Sequence, residues 1–261
     1  MSQNPYAPPS AQVADQTVIQ RGAYVPGGRG VAATRGWDWL TEAWELFKAA
    51  PGMWIAMVVV FAVIYMVASM IPFFGMFVTF LAGPVFGAGF VIGCRAIEEG
   101  RELEFAHLFA GFQQRFGQLV AVGALYLAAW IAVILVVALI TGAGMVALFA
   151  GGAGAPGEPR TAAALTTLLL AVLLAMALML PVLMAIWFAP SLVVFHDLGP
   201  IEAMKDSFTG CLRNVVPFLV YGAVYLVLAI LATIPLGLGW LVLGPMTAAS
   251  VYTAYRDIYL A

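Results

Sequence analysis

The chain has 261 residues, of which 64% are hydrophobic and only 9% charged, and its mean hydropathy is +1.01. A water-soluble domain covers its surface with roughly 25% charged residues, so this composition excludes one. A net charge of -2 leaves no basic footprint for nucleic acid.

Residues 1–33, with NPYAPPSAQ and VPGGRG, are rich in proline and glycine and lack apolar periodicity, which predicts a disordered cytoplasmic tail. The apolar core of a secretory signal is missing from them. Beyond the tail, no Asp, Glu, Lys or Arg occurs in 49–94, 116–157, 161–196 or 214–255. Two helices of about 20 residues plus a turn need a little over 40, so the first and last blocks hold hairpins. Ile71-Pro72 with Gly75, and Ile234-Pro235 with Gly237, mark their breaks, because proline withholds a donor and glycine permits a turn. The spans are expected near 53–71, 76–94, 118–141, 165–190, 216–234 and 238–256, with the loop GGAGAPGEPRT at 151–161 between the middle two. The runs lack the alternation of a β-barrel strand. The expected fold is therefore all-α and polytopic, with six transmembrane helices.

Arg21, Arg29, Arg35, Lys48, Arg95, Arg101, Arg115, Lys205, Arg213 and Arg256 share one side of this arrangement, and only Arg160 lies on the other. The positive-inside rule then puts both termini in the cytoplasm of a bacterial inner membrane. Cys94 and Cys211 fall on that reducing side, which argues against a disulfide. His107 and His196 have no ligand-spaced companion, so no metal and no cofactor is expected.

A short amphipathic segment precedes each pair of spans. Trp37, Leu40, Trp44 and Phe47 recur at helical spacing in the first, Phe105, Leu108, Phe109, Phe112 and Phe116 in the second, and Ile201, Met204, Phe208 and Leu212 in the third. Each is expected to lie in the headgroup plane with its aromatics dipping toward the acyl chains. The pattern divides residues 34–261 into units 34–100, 101–197 and 198–261. At a fixed offset of 161 residues, Leu40, Phe47, Gly83, Pro84, Ala88, Arg95 and Ile97 fall on Ile201, Phe208, Gly244, Pro245, Ala249, Arg256 and Ile258. The outer units are thus expected to be parallel repeats.

Gly83-Pro84 and Gly244-Pro245 predict kinks inside the second helix of each outer unit. Gly83, Gly87, Gly89 and Gly93 predict a close helix approach. Arg95 and Arg256 lie about 16 Å beyond the kinks, at headgroup level, as interfacial anchors or as ligand-recognising groups. No span holds a midmembrane charge, which argues against ion-coupled transport. The acidic run Glu98, Glu99, Glu102 and Glu104 beside His107, and the pair His196-Asp197, are the nearest approach to an enzyme site. Neighbours on a helix point about 100° apart, so the pair forms no dyad, and a non-enzymatic protein is expected.

The segment FAPSLVVFHDLGPIEAMKDSFTGCLRNVVPFLVYG at 188–222, with the NPYAPPSAQV tail, resembles a family of six-span bacterial inner-membrane proteins. More distantly, the repeated units are similar to YciC-type proteins and to the membrane domain fused to some glycerophosphodiester phosphodiesterases. The resemblance implies membrane topology, and supplies neither substrate nor catalytic residues. The favoured reading is binding of membrane lipids, of a partner protein or of a second copy of the chain through Trp37, Trp44, Arg95, Phe109, Phe112, Phe208 and Arg256. The alternative is a small-solute facilitator or transporter gated at the Gly83-Pro84 and Gly244-Pro245 kinks, with Gly87 a helix-packing position.

Overall fold

A computed structural model describes residues 22–71, 74–150 and 160–261, with residues 143–150 and 160–164 described by backbone alone. Its helices are α1 (Arg35–Ala49), α2 (Pro51–Ser69), α3 (Phe74–Glu98), α4 (Ala110–Gln113), α5 (Phe116–Ala150), α6 (Arg160–Trp187), α7 (Ala189–His196), α8 (Pro200–Arg213), α9 (Val215–Thr233) and α10 (Trp240–Tyr259). Among the described residues there is no strand, only an isolated antiparallel bridge between Tyr24 and Leu260. Residues 1–21, Pro72 and most of the 151–161 loop lie outside the described residues.

Among the described residues, five helical segments are long and apolar enough to cross a membrane: Pro51–Ser69, Phe74–Glu98, Phe116–Gly142, Leu165–His196 and Val215–Thr233. The segment expected as the sixth span is helical, α10, but its hydroxyls, Arg256 and Asp257 keep it out of that set. The second hairpin turns where the sequence placed it, with Leu236 at φ 54° and Gly237 at φ 81°.

The fourth expected span is broken rather than continuous. Phe188, just before Pro190, leaves the helix, and a hydroxyl from another element occupies the gap. Ser207 on α8 accepts from the Phe188 amide at 2.9 Å and donates to the Met184 carbonyl at 2.7 Å, the two groups an unbroken helix would have joined. The middle lead-in also differs from expectation. A 3-10 turn over Phe105–Phe109 and the single turn of α4 replace one amphipathic helix, and the chain reverses at Arg115, φ 56°.

Each lead-in packs on the hairpin of another unit. α1 lies on α9 and α10, the 3-10 turn and α4 lie on α2 and α3, and α8 lies on α5, α6 and α7. Glycine makes these approaches possible. A Cβ at Gly36 would strike the Pro217 carbonyl, one at Gly111 the Val85 carbonyl, and one at Gly89 the His107 carbonyl at 2.6 Å. The face carrying Gly89 and Gly93 therefore receives the middle lead-in of the same chain.

Residues 22–33, read from sequence as part of a disordered tail, form an ordered strap. Val25 and Arg29 donate their amides to the carbonyls of Tyr259 and Ile258 at 2.9 Å each. The fully buried Asn214 clamps the strap by accepting from the Val31 amide and donating to the Arg29 carbonyl, both at 2.8 Å. Backbone pairing needs no hydrophobic periodicity, which is why the pattern missed it. The buried core gathers at this end, around Trp39, Trp54, Phe188, Leu192, Tyr255 and Ile258. At the opposite end Leu139 of α5 is exposed, as a helix surface meeting lipid would be, and so are Met70, Ile234 and Leu236 in the turns that close the two outer hairpins.

Candidate functional site

Three helix ends converge beneath the strap. The last turn of α3 brings Arg95 and Glu98, and the turn after it Glu99; α7 brings Phe195 and His196; and α10 brings Tyr252, Tyr255, Arg256 and Asp257. With Arg35 from α1 and Gly22 and Arg29 from the strap, they line a cavity of about 480 Å³. Its size is that of an ordinary small-molecule site, but its lining is unusually ionic.

The charges form an alternating chain. Arg29 Nη2 lies 3.6 Å from Asp257, whose other oxygen meets Arg35 Nε at 2.6 Å. Arg35 turns its remaining nitrogens on Asp38 at 3.2 Å and Glu42 at 3.0 Å. Glu42 reaches Arg256 at 2.5 Å, and Arg256 also pairs with Glu98, which accepts from the Tyr252 hydroxyl at 2.5 Å. Asp257, only 11% exposed, further accepts from the Trp39 indole at 3.0 Å. Its hydrogen bond is the main reason the Arg35 guanidinium is held more firmly protonated than usual. Several partners per charge distinguish such a network from isolated surface pairs.

Arg95 stands apart. Its Nε meets Glu99 at 3.1 Å, and its guanidinium carbon lies 4.8 Å from the Phe195 ring centroid, a cation–π contact. His196 Nε2 lies 2.6 Å from the Tyr255 hydroxyl, and its ring stacks on Tyr24 at 4.0 Å. Tyr24 hydrogen-bonds Asp206, and burial first, then that carboxylate, pushes its phenol upward.

No family model matches the chain, and no solved structure matches it. A probable inner membrane protein of Burkholderia thailandensis is 30% identical over 205 residues, which cover 77% of this chain and 75% of that protein. The chain belongs to that family.

The residues singled out by sequence divide in two. Trp37 and Trp44 are exposed at 54% and 40%, and Phe112 at 41%; Phe109 and Phe208 are half-buried. Arg95 and Arg256 turn away from them into the ionic cavity. Pro84 and Pro245 are buried inside α3 and α10. Gly83 faces the Tyr65 hydroxyl and Gly244 faces Val58, both on α2, while Gly87 faces Pro190. The carbonyl of Phe80, freed by Pro84, is met by Gly123 of α5.

The enzyme-like groups do not converge. His107 Nδ1 accepts the Glu104 amide at 2.9 Å in a capping interaction, and Asp197, in the left-handed region at φ 57°, pairs with Arg115, away from His196 and Tyr255. Sequence reasoning missed Trp39, Glu42, Asp257 and Phe195 as site members. An acidic residue within three positions of each arginine, Glu98 after Arg95 and Asp257 after Arg256, was the available signal.

Proposed function

We propose that this chain is a non-enzymatic integral inner membrane protein that crosses the bilayer six times, keeps both termini in the cytoplasm and binds membrane lipid through its cytoplasmic end. The sixth crossing is supported by the pairing of α9 and α10 into a hairpin of 19 and 20 residues whose open ends both meet α1 and the strap. α10 carries hydroxyls because it lies inside the bundle. Ser250 meets Tyr221 at 2.9 Å and Thr253 donates to the Trp39 carbonyl at 2.9 Å, so the helix need not be apolar all round. The hand-over of each lead-in to another unit supports a threefold plan, the feature that YciC-type proteins would share.

The observation that carries lipid binding is the exposed aromatic rim of Trp37, Trp44 and Phe112 beside a charged end, the arrangement of side chains at a headgroup boundary. The test is mass spectrometry of lipid retained by the purified protein, with chemical crosslinking in membranes. The triple replacement of Trp37, Trp44 and Phe112 by alanine is expected to lose most retained lipid. Unchanged retention together with a reproducible protein crosslink at the rim would transfer the reading to a partner protein or a second copy. A solute facilitator is the second reading, favoured by the matched prolines Pro84 and Pro245 inside the two helices that end at the cavity. Saturable solute uptake by proteoliposomes would establish it.

A further inference from the structure

We propose that the ionic cavity is a binding site for one phosphate oxyanion, with Arg95 as its principal donor. Its place at the headgroup boundary rests on the reading above, whereas the site itself rests on a donor census. Arg35 uses all three nitrogens on Asp257, Asp38 and Glu42, and Arg256 uses both terminal nitrogens on Glu42 and Glu98. Arg29 gives its Nε to the Asp257 carbonyl at 2.8 Å and one terminal nitrogen to the Asp257 carboxylate. Arg95 uses only Nε, and its two terminal amino groups have no hydrogen-bond partner among the described residues.

The lining carboxylates are already engaged. Glu98 is held by Arg256 and Tyr252, Asp257 by Arg29, Arg35 and Trp39, and Glu99 by Arg95 and Arg101. The four lining arginines are met by Glu98, Glu99 and Asp257 in the wall and by Asp38 and Glu42 behind it, so their charges are matched and the donors left over are chiefly those of Arg95. Spare donors select an anion, because a cation would have to displace an arginine from its acceptor. Phe195 and Glu99 hold the Arg95 guanidinium in place, and its two free N–H-bearing corners form the planar fork that a tetrahedral oxyanion accepts in bidentate fashion. Basic pockets at the cytoplasmic ends of membrane helices recognise lipid headgroups in this manner, although free phosphate offers the same chemistry.

The experiment titrates the purified full chain in a non-ionic detergent with inorganic phosphate and, separately, with monomeric short-chain phosphatidylglycerol. Saturable binding of at least one probe is expected, with Arg95→Gln weakening it about tenfold or more, since the removed charged hydrogen bonds are worth that much or more. Arg95→Lys, which keeps the charge and loses the fork, is expected to fall between, and Lys205→Gln to bind as the parent does. Saturation by phosphate alone identifies a soluble phosphate site, and saturation by the lipid alone a headgroup site. If Arg95→Gln fails to fold, Arg95→Lys decides, and binding equal to the parent overturns the proposal. So does the absence of saturable binding by either probe. The aromatic-rim variants retain Arg95, so loss of lipid from them with phosphate binding intact would separate the two readings.

Discussion

At the scale of single residues, Trp39 links the core to the charge network. Its ring is fully buried against Phe218 at 5.2 Å between centroids, while its indole N–H is one of the donors to Asp257. Trp39→Phe keeps most of the apolar packing and removes the donor, leaving a nearly buried carboxylate less well satisfied. The expected loss is about 1–3 kcal/mol, read as a lower midpoint of thermal unfolding in detergent, while Trp37→Phe, at an exposed position, should leave the midpoint unchanged. The sequence could not choose between these tryptophans. The rows 37, 40, 44, 47 and 36, 39, 40, 43, 46, 47 both follow helical spacing; what selects the second is Gly36 fitting against Pro217 and the acceptor at Asp257, both remote in sequence. Composition therefore announced an aromatic lead-in, and tertiary contacts decided which face was sealed.

At the scale of elements, the lead-ins depend on glycine where they meet another unit. Gly89→Leu would drive a side chain into the Leu108 backbone, whose carbonyl carbon already lies 2.9 Å from an ideal Cβ. Rigid backbone cannot yield as a flexible side chain can. Overpacking of this kind costs about 1–3 kcal/mol or more, and the 3-10 turn should detach first, seen as faster proteolysis between Glu102 and Arg115. Gly52→Leu, which meets nothing within 4 Å, is the matched control and should show no such change. The long helices were legible because apolar runs ended by proline and glycine have one inexpensive solution in lipid. The break at Phe188 was not, because it depends on Ser207, 19 residues away on another helix. The strap was missed for the same reason, its order coming from carbonyls of α10 and the amide of Asn214 rather than from any pattern within residues 22–33.

At the scale of the whole molecule, everything proposed for the ionic cavity depends on which side of the bilayer it faces, and the protein supplies its own reagent for finding out. Both native cysteines are buried, and burial pushes the Cys211 thiol up to about 12, so the thiolate that reacts with maleimides is scarce near neutral pH. New cysteines can therefore be read against a quiet background. Leu236, 98% exposed at the tip between α9 and α10, and Arg101, exposed just beyond α3, lie at opposite ends of the helical bundle. In intact bacteria whose outer membrane has been made permeable, a membrane-impermeant maleimide is expected to label Leu236→Cys at once and Arg101→Cys only after the inner membrane is broken. The reverse order would place the cavity in the periplasm, where the arginines around it would contradict the positive-inside rule. Equal labelling of both positions before lysis would mean that α9 and α10 do not cross together, and with them would go the headgroup depth at which Arg95 is proposed to meet phosphate.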